Sequence, residues 1–196
     1  MHGGPTQTVG WRLAAEIGRW RWYSAEDSWH AERVRLLSRD GASVTLWPTG
    51  YQFGRGSAPR GDWDANWLLV RGDVCMASDE TWSFHDACLT TWEAASLWSW
   101  LRAACSGNVA PTDAPHEDSE SLLAFTEPNL AFSVASMTDE EIVLRVHLAL
   151  ESGPALPKDS EPADLYSYYV PLSMTGGELL AAADEWRGDI EPYPER

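Results

Sequence analysis

The sequence predicts an α+β fold, a mainly antiparallel and sandwich-like β-sheet structure with two amphipathic helices near residues 90–105 and 175–187. Three observations predict it. First, Glu141–Glu151 alternates strictly, with Ile142, Leu144, Val146, Leu148 and Leu150 on one side and Arg145 and His147 on the other. Second, Asp40-Gly41 lies between two apolar runs, a strong hairpin signal because glycine accepts the positive φ of tight turns. Third, Thr90 with Glu93 and Thr175 with Glu178 have the spacing of a capping box, in which hydroxyl and carboxylate reciprocally satisfy free backbone donors.

Residues 1–31 read as an N-terminal extension of uncertain order. Gly3-Gly4-Pro5 is flexible, Ala14–Ile17 resembles a helix start, and Arg19-Trp20-Arg21-Trp22-Tyr23 alternates like a strand. Residues 32–196 read as one domain. Glu32–Ser38 and Ser43–Trp47 are the arms of the Asp-Gly hairpin, with Leu37 out of step with Val34 and Leu36, and Pro48-Thr49-Gly50 ends the second arm. After a Gly/Pro/Ser-rich loop at 54–61, Trp67–Val70 and Val74–Met76 read as two strands around a turn at Arg71-Gly72-Asp73. Thr81–Phe84 is a further short strand.

The first helix starts at Thr90. Ala94, Leu97, Trp98, Leu101 and Ala104 form its apolar stripe, Trp100 lies off it, and Gly107 follows its end. Residues 106–120 are a polar loop. Leu122–Thr126 and Leu130–Ala135 read as strands, followed by Glu141–Glu151, whose Arg145 and His147 side should be the wetter one. Ser167–Leu172 is the last strand. The second helix, with Leu179, Leu180, Ala183 and Trp186 on its apolar side, should stop at Gly188.

Composition narrows the function. The chain of 196 residues carries a net charge of −16. Residues 1–60 hold eight arginines and five acids, while residues 61–196 hold six basic and 25 acidic residues. The main body is therefore unsuited to nucleic acid, whose phosphates demand the opposite sign. A basic protein partner is its electrostatic complement. No apolar run approaches the roughly 20 residues of a membrane span, and Met1–Thr8 has no apolar signal segment, so a cytoplasmic location is expected. Cys75, Cys88 and Cys105, odd in number and widely spaced, fit reduced thiols.

Chemical motifs are sparse. Asp62-Trp63-Asp64 could hold a hard cation, but the spacing of a calcium loop is missing and loop capping explains it better. His85, Asp86 and Cys88 are the residues of a thiol hydrolase, yet neighbours at a strand end rarely point at one another, and Cys88 reads as a small buried residue. The five histidines are scattered, without zinc spacing. No phosphate-binding, nucleotide-binding or nucleophile-elbow motif is present. No cofactor or metal is expected, and no catalytic centre. The twelve tryptophans, among them Trp67, Trp98 and Trp186, suit a core better than a sugar platform.

Several blocks resemble the WapI family of immunity proteins. They are Gly50-Tyr51-Gln52-Phe53 with Trp63-Asp64-Ala65-Asn66-Trp67-Leu68; Cys88-Leu89-Thr90 through Glu93, with Trp100-Leu101; Phe125 through Phe132; and Glu151 with the closing Tyr193-Pro194-Glu195-Arg196. They occur in order over residues 32–196. Gly54 and Ala87 stand where the pattern has proline. The resemblance implies a protein that binds and neutralises a toxin domain, often a nuclease, and protects the producing cell. It brings no catalytic residues. The acids expected to face a basic toxin are Asp62, Asp64, Asp113, Glu117, Asp118, Glu120, Asp139, Glu140 and Glu141. The competing readings are a small hydrolase using Asp62, Asp64, His85 or Cys88, and a carbohydrate-binding module using exposed tryptophans.

Overall fold

Two four-stranded antiparallel sheets, each followed by a helix, make up the described part of the chain. The computed structural model describes residues 33–54, 63–113, 121–155 and 165–196. The expected extension at 1–31 lies outside them. In the first sheet β1 (Val34–Leu37), β2 (Ser43–Tyr51), β3 (Trp67–Cys75) and β4 (Thr81–Thr90) are neighbours in that order, and α1 (Thr91–Cys105) follows. In the second, β5 (Leu123–Ala124), β6 (Leu130–Met137), β7 (Ile142–Leu148) and β8 (Tyr169–Met174) repeat the arrangement before α2 (Gly176–Ile190). The fold is α+β and mainly antiparallel, as the patterning predicts.

The local signals act as expected at both helix starts. The hydroxyl of Thr90 accepts from the Glu93 amide and the Glu93 carboxylate accepts from the Thr90 amide. Thr175 and Glu178 do the same for α2. Gly107 follows α1 at φ +74, where a side chain would be strained. Gly41 turns the first hairpin at φ +94, and Leu37 points outward, 43% exposed.

Four expectations are corrected by packing. Pro48 does not end β2 but pairs with Val70, with a register shift between Pro48 and Gly50. β1 stops opposite Leu46, so beyond it β2 has a strand on one side only, and proline's missing N–H is tolerated there. Arg71-Gly72-Asp73 is no turn but the middle of β3, with Gly72 opposite Phe84. α2 runs through Gly188 to Ile190, because nothing crowds that position and the carbonyl of Arg187 accepts from the Glu191 amide. Finally, Arg145 and His147 are buried, 8% and 1% exposed. The side of β7 read as wetter is covered by Thr112 and Asp113, whose carbonyls accept from the Arg145 guanidinium, and by Tyr166.

One continuous core joins both sheets and both helices. Trp186 of α2 is fully buried and donates its indole N–H to the Ala94 carbonyl of α1 at 2.8 Å. Trp67 and Trp98 are only half-buried; Arg187 and Arg102 stack on the Trp98 ring at 4.7 and 5.6 Å. At the other seam, the Arg39 amide donates to the Ser173 carbonyl and the Ser173 amide to the Ser38 hydroxyl, tying the first hairpin to β8.

Candidate functional site

The acids proposed from sequence fall on separate elements. Asp139 and Glu140 are exposed in the β6–β7 turn, where the Thr138 hydroxyl accepts from the Glu140 and Glu141 amides. Glu141 meets Arg39 of the first hairpin at 3.3 Å. Asp64 is exposed in a 3-10 turn, Trp63–Asn66, ahead of β3. Asp113 is exposed after α1, its carbonyl held by Arg145. Asp62, Glu117, Asp118 and Glu120 lie outside the described residues.

A second group of acids is scattered in sequence, and their common action on one side chain was not legible there. Asp86 on β4, Glu127 before β6 and Glu151 after β7 all act on the Cys88 thiol, which is fully buried. Burial first, and these carboxylates next, push the thiol far above its ordinary range, so it stays protonated and inert. Cys88 occupies a bulge between Ala87 and Leu89, which pair with Leu69 and Leu68.

The residues of a thiol hydrolase do not converge. His85 is exposed and shares a 2.8 Å hydrogen bond with the Thr49 hydroxyl, whereas Cys88 is buried. A different pair has the geometry of nucleophile and base. The Ser133 hydroxyl lies 2.9 Å from His147 Nε2, and His147 Nδ1 lies 2.8 Å from the Tyr166 carbonyl. A carbonyl only accepts, so Nδ1 carries the proton and Nε2 accepts from Ser133. Both residues are buried, which closes them to any substrate, and burial lowers the His147 pKa from 6.5 to about 4. The pair ties β6 to β7 and to the segment before β8. Among the described residues no three His, Cys, Asp or Glu side chains are placed to hold a metal. Of the described tryptophans only Trp63 is exposed, its ring packed on that of Trp92.

The blocks singled out in the sequence meet in space. Tyr51, Phe53 and Asn66 grip the C-terminal residues: the Tyr51 hydroxyl donates to the Pro194 carbonyl, Arg196 stacks on the Tyr51 ring and donates to the Phe53 carbonyl at 3.1 Å, and Asn66 Oδ1 accepts from the Arg196 amide at 2.8 Å. Asn66 Oδ1 also accepts from Thr91 of α1. Glu93, besides capping α1, accepts from the Thr126 amide at 2.6 Å and so links α1 to the third block. Glu151 belongs to a turn tied to Asn129 of that block, since the Ala149 amide and Ser152 hydroxyl donate to the Asn129 carbonyl.

These contacts define a protein whose shared residues hold two sheets and a C-terminal arm together rather than line a cleft. The family model of the Immunity protein WapI-like family matches residues 35–194, and the chain belongs to that family. Membership supports an immunity function and implies a cognate toxin. No curated protein matches the sequence. No helix among the described residues is long and apolar enough to cross a membrane.

Proposed function

We propose that this chain is the immunity protein of a polymorphic toxin system, acting in the cytoplasm of the producing cell through residues 32–196 on a cognate toxin domain, a basic nuclease. The family match over residues 35–194 carries this reading. The charge of −16 supports the basic partner, because a nuclease that grips phosphates presents the opposite sign. The exposed Asp64, Asp113, Asp139 and Glu140, together with Asp62, Glu117, Asp118, Glu120 and Glu141, supply a field that steers the toxin in. No cofactor and no catalytic step are required: occupying the toxin's cleft is enough.

The test is co-expression with the toxin domain encoded immediately upstream. The pair should co-purify, and cells carrying the chain should survive the toxin. The association rate should fall steeply as salt rises. Failure to bind or protect against any neighbouring toxin would end the immunity reading. A salt-independent association rate would remove only its electrostatic part.

A further inference from the structure

Leu150 is the most exposed of the large hydrophobic side chains described, at 57%, and its backbone stands at φ +49. That left-handed region crowds the Cβ of any L-residue other than glycine, with asparagine and aspartate the usual exceptions. The position therefore combines two costs that glycine or asparagine would avoid, and neither serves the core. Strain held against an exposed apolar group marks a surface selected for something other than folding.

The turn Leu150–Ser152 is held by several hydrogen bonds. The Ser152 hydroxyl donates to the Asn129 and Ala149 carbonyls, the Ser152 and Gly153 amides donate to Ala149 and Leu150, and the Trp82 indole donates to the Ser152 carbonyl at 2.9 Å. Trp82 meets Tyr168 edge-on, their ring centres 5.9 Å apart. Glu80, whose charge acts on Tyr168, and Glu151, within the turn itself, are both exposed. The charges acting on Tyr168 (Glu80) and on Cys88 (Asp86, Glu127 and Glu151) are all carboxylates.

We propose that this turn is the toxin-contact surface, with Leu150 as its anchor, Trp82 and Tyr168 as its aromatic floor, and Glu80 and Glu151 as its acidic rim. The partner it fits is a basic domain offering an apolar pocket rimmed by lysine or arginine. A preformed aliphatic anchor loses little freedom on binding, and an apolar centre within a polar rim is the usual anatomy of a protein interface. This inference rests on the immunity reading above and names the contact that reading leaves open.

The experiment titrates the full chain with a catalytically inactivated form of the toxin domain encoded beside it. Leu150→Gly relieves the backbone and deletes the anchor, so it should fold at least as well as the parent yet bind ~10-fold or more weakly, the loss expected for one buried leucine. Leu150→Asn, which also suits the left-handed region, should behave alike. Leu180→Ala, an exposed apolar deletion on α2, should bind as the parent does. Glu80→Lys with Glu151→Lys should slow association. Parent-like affinity in both Leu150 variants, or an equal loss in Leu180→Ala, overturns the proposal alone. A parent chain that does not bind overturns the immunity reading and this proposal together.

Discussion

The Phe84 ring occupies the space that a Cβ on Gly72 would need, directly across β3 and β4 in register. The pair makes glycine obligatory in mid-strand, where it would ordinarily weaken the sheet. Gly72→Ala should therefore destabilise the protein by about 2 kcal/mol, the usual penalty of overpacking, as read by urea denaturation. Adding Phe84→Ala should remove the clash, so that the two losses are less than additive.

His147 sets an acid limit. Its pKa is about 4 when folded against 6.5 when free. The unfolded chain therefore takes up a proton below 6.5 that the folded chain refuses, so stability falls as pH drops from 6.5 towards 4. The shift corresponds to a loss on the order of 3 kcal/mol at the acid end. His147→Gln should be less stable at neutral pH yet lose less between pH 7 and pH 4.5; equal acid losses in parent and variant would contradict the assignment.

Glu93 and Glu178 cap their helices alike, but only Glu93 also holds the Thr126 amide. Glu178→Ala should cost about 1 kcal/mol, as a lost helix cap does. Glu93→Ala should cost more, since it also frees the chain leading into β6. Thermal unfolding of the two variants compares them directly.

Asn66 is fully buried and its Oδ1 serves both Thr91 and Arg196. Asn66→Ala should lower stability by about 2 kcal/mol, because the buried Thr91 hydroxyl and the half-buried Arg196 amide both lose their acceptor. Amide exchange should accelerate at Arg196 and at the start of α1, with β6–β8 unchanged.

Much of the architecture was legible because its causes are local. A capping box is written within four residues, and an Asp-Gly hairpin within two, so both helix starts and the first hairpin were readable before any long-range contact formed. The strand misreadings share one cause. Pro48 and Gly72 look like breakers, and whether they break depends on the neighbouring strand: an absent partner excuses Pro48, and Phe84 requires Gly72. The candidate site was legible only in part. Runs such as Asp139-Glu140-Glu141 stand out in sequence, whereas Trp82 and Ser152 are 70 positions apart and meet only because β4 packs on the turn after β7.

By itself the sequence determined the fold class, the two capped helices, the acidic balance and the family, all of which rest on residue type and short spacing. Tertiary structure alone decided which polar groups lie inside and which apolar ones lie outside. Alternation separates the two faces of β7 without saying what covers each, and it is Thr112 and Asp113 over Arg145, and Tyr166 over His147, that bury the second face. Alternation likewise placed Leu150 with the core residues of β7, but the chain leaves the strand at Leu148, turns left-handed, and sets that leucine in solvent.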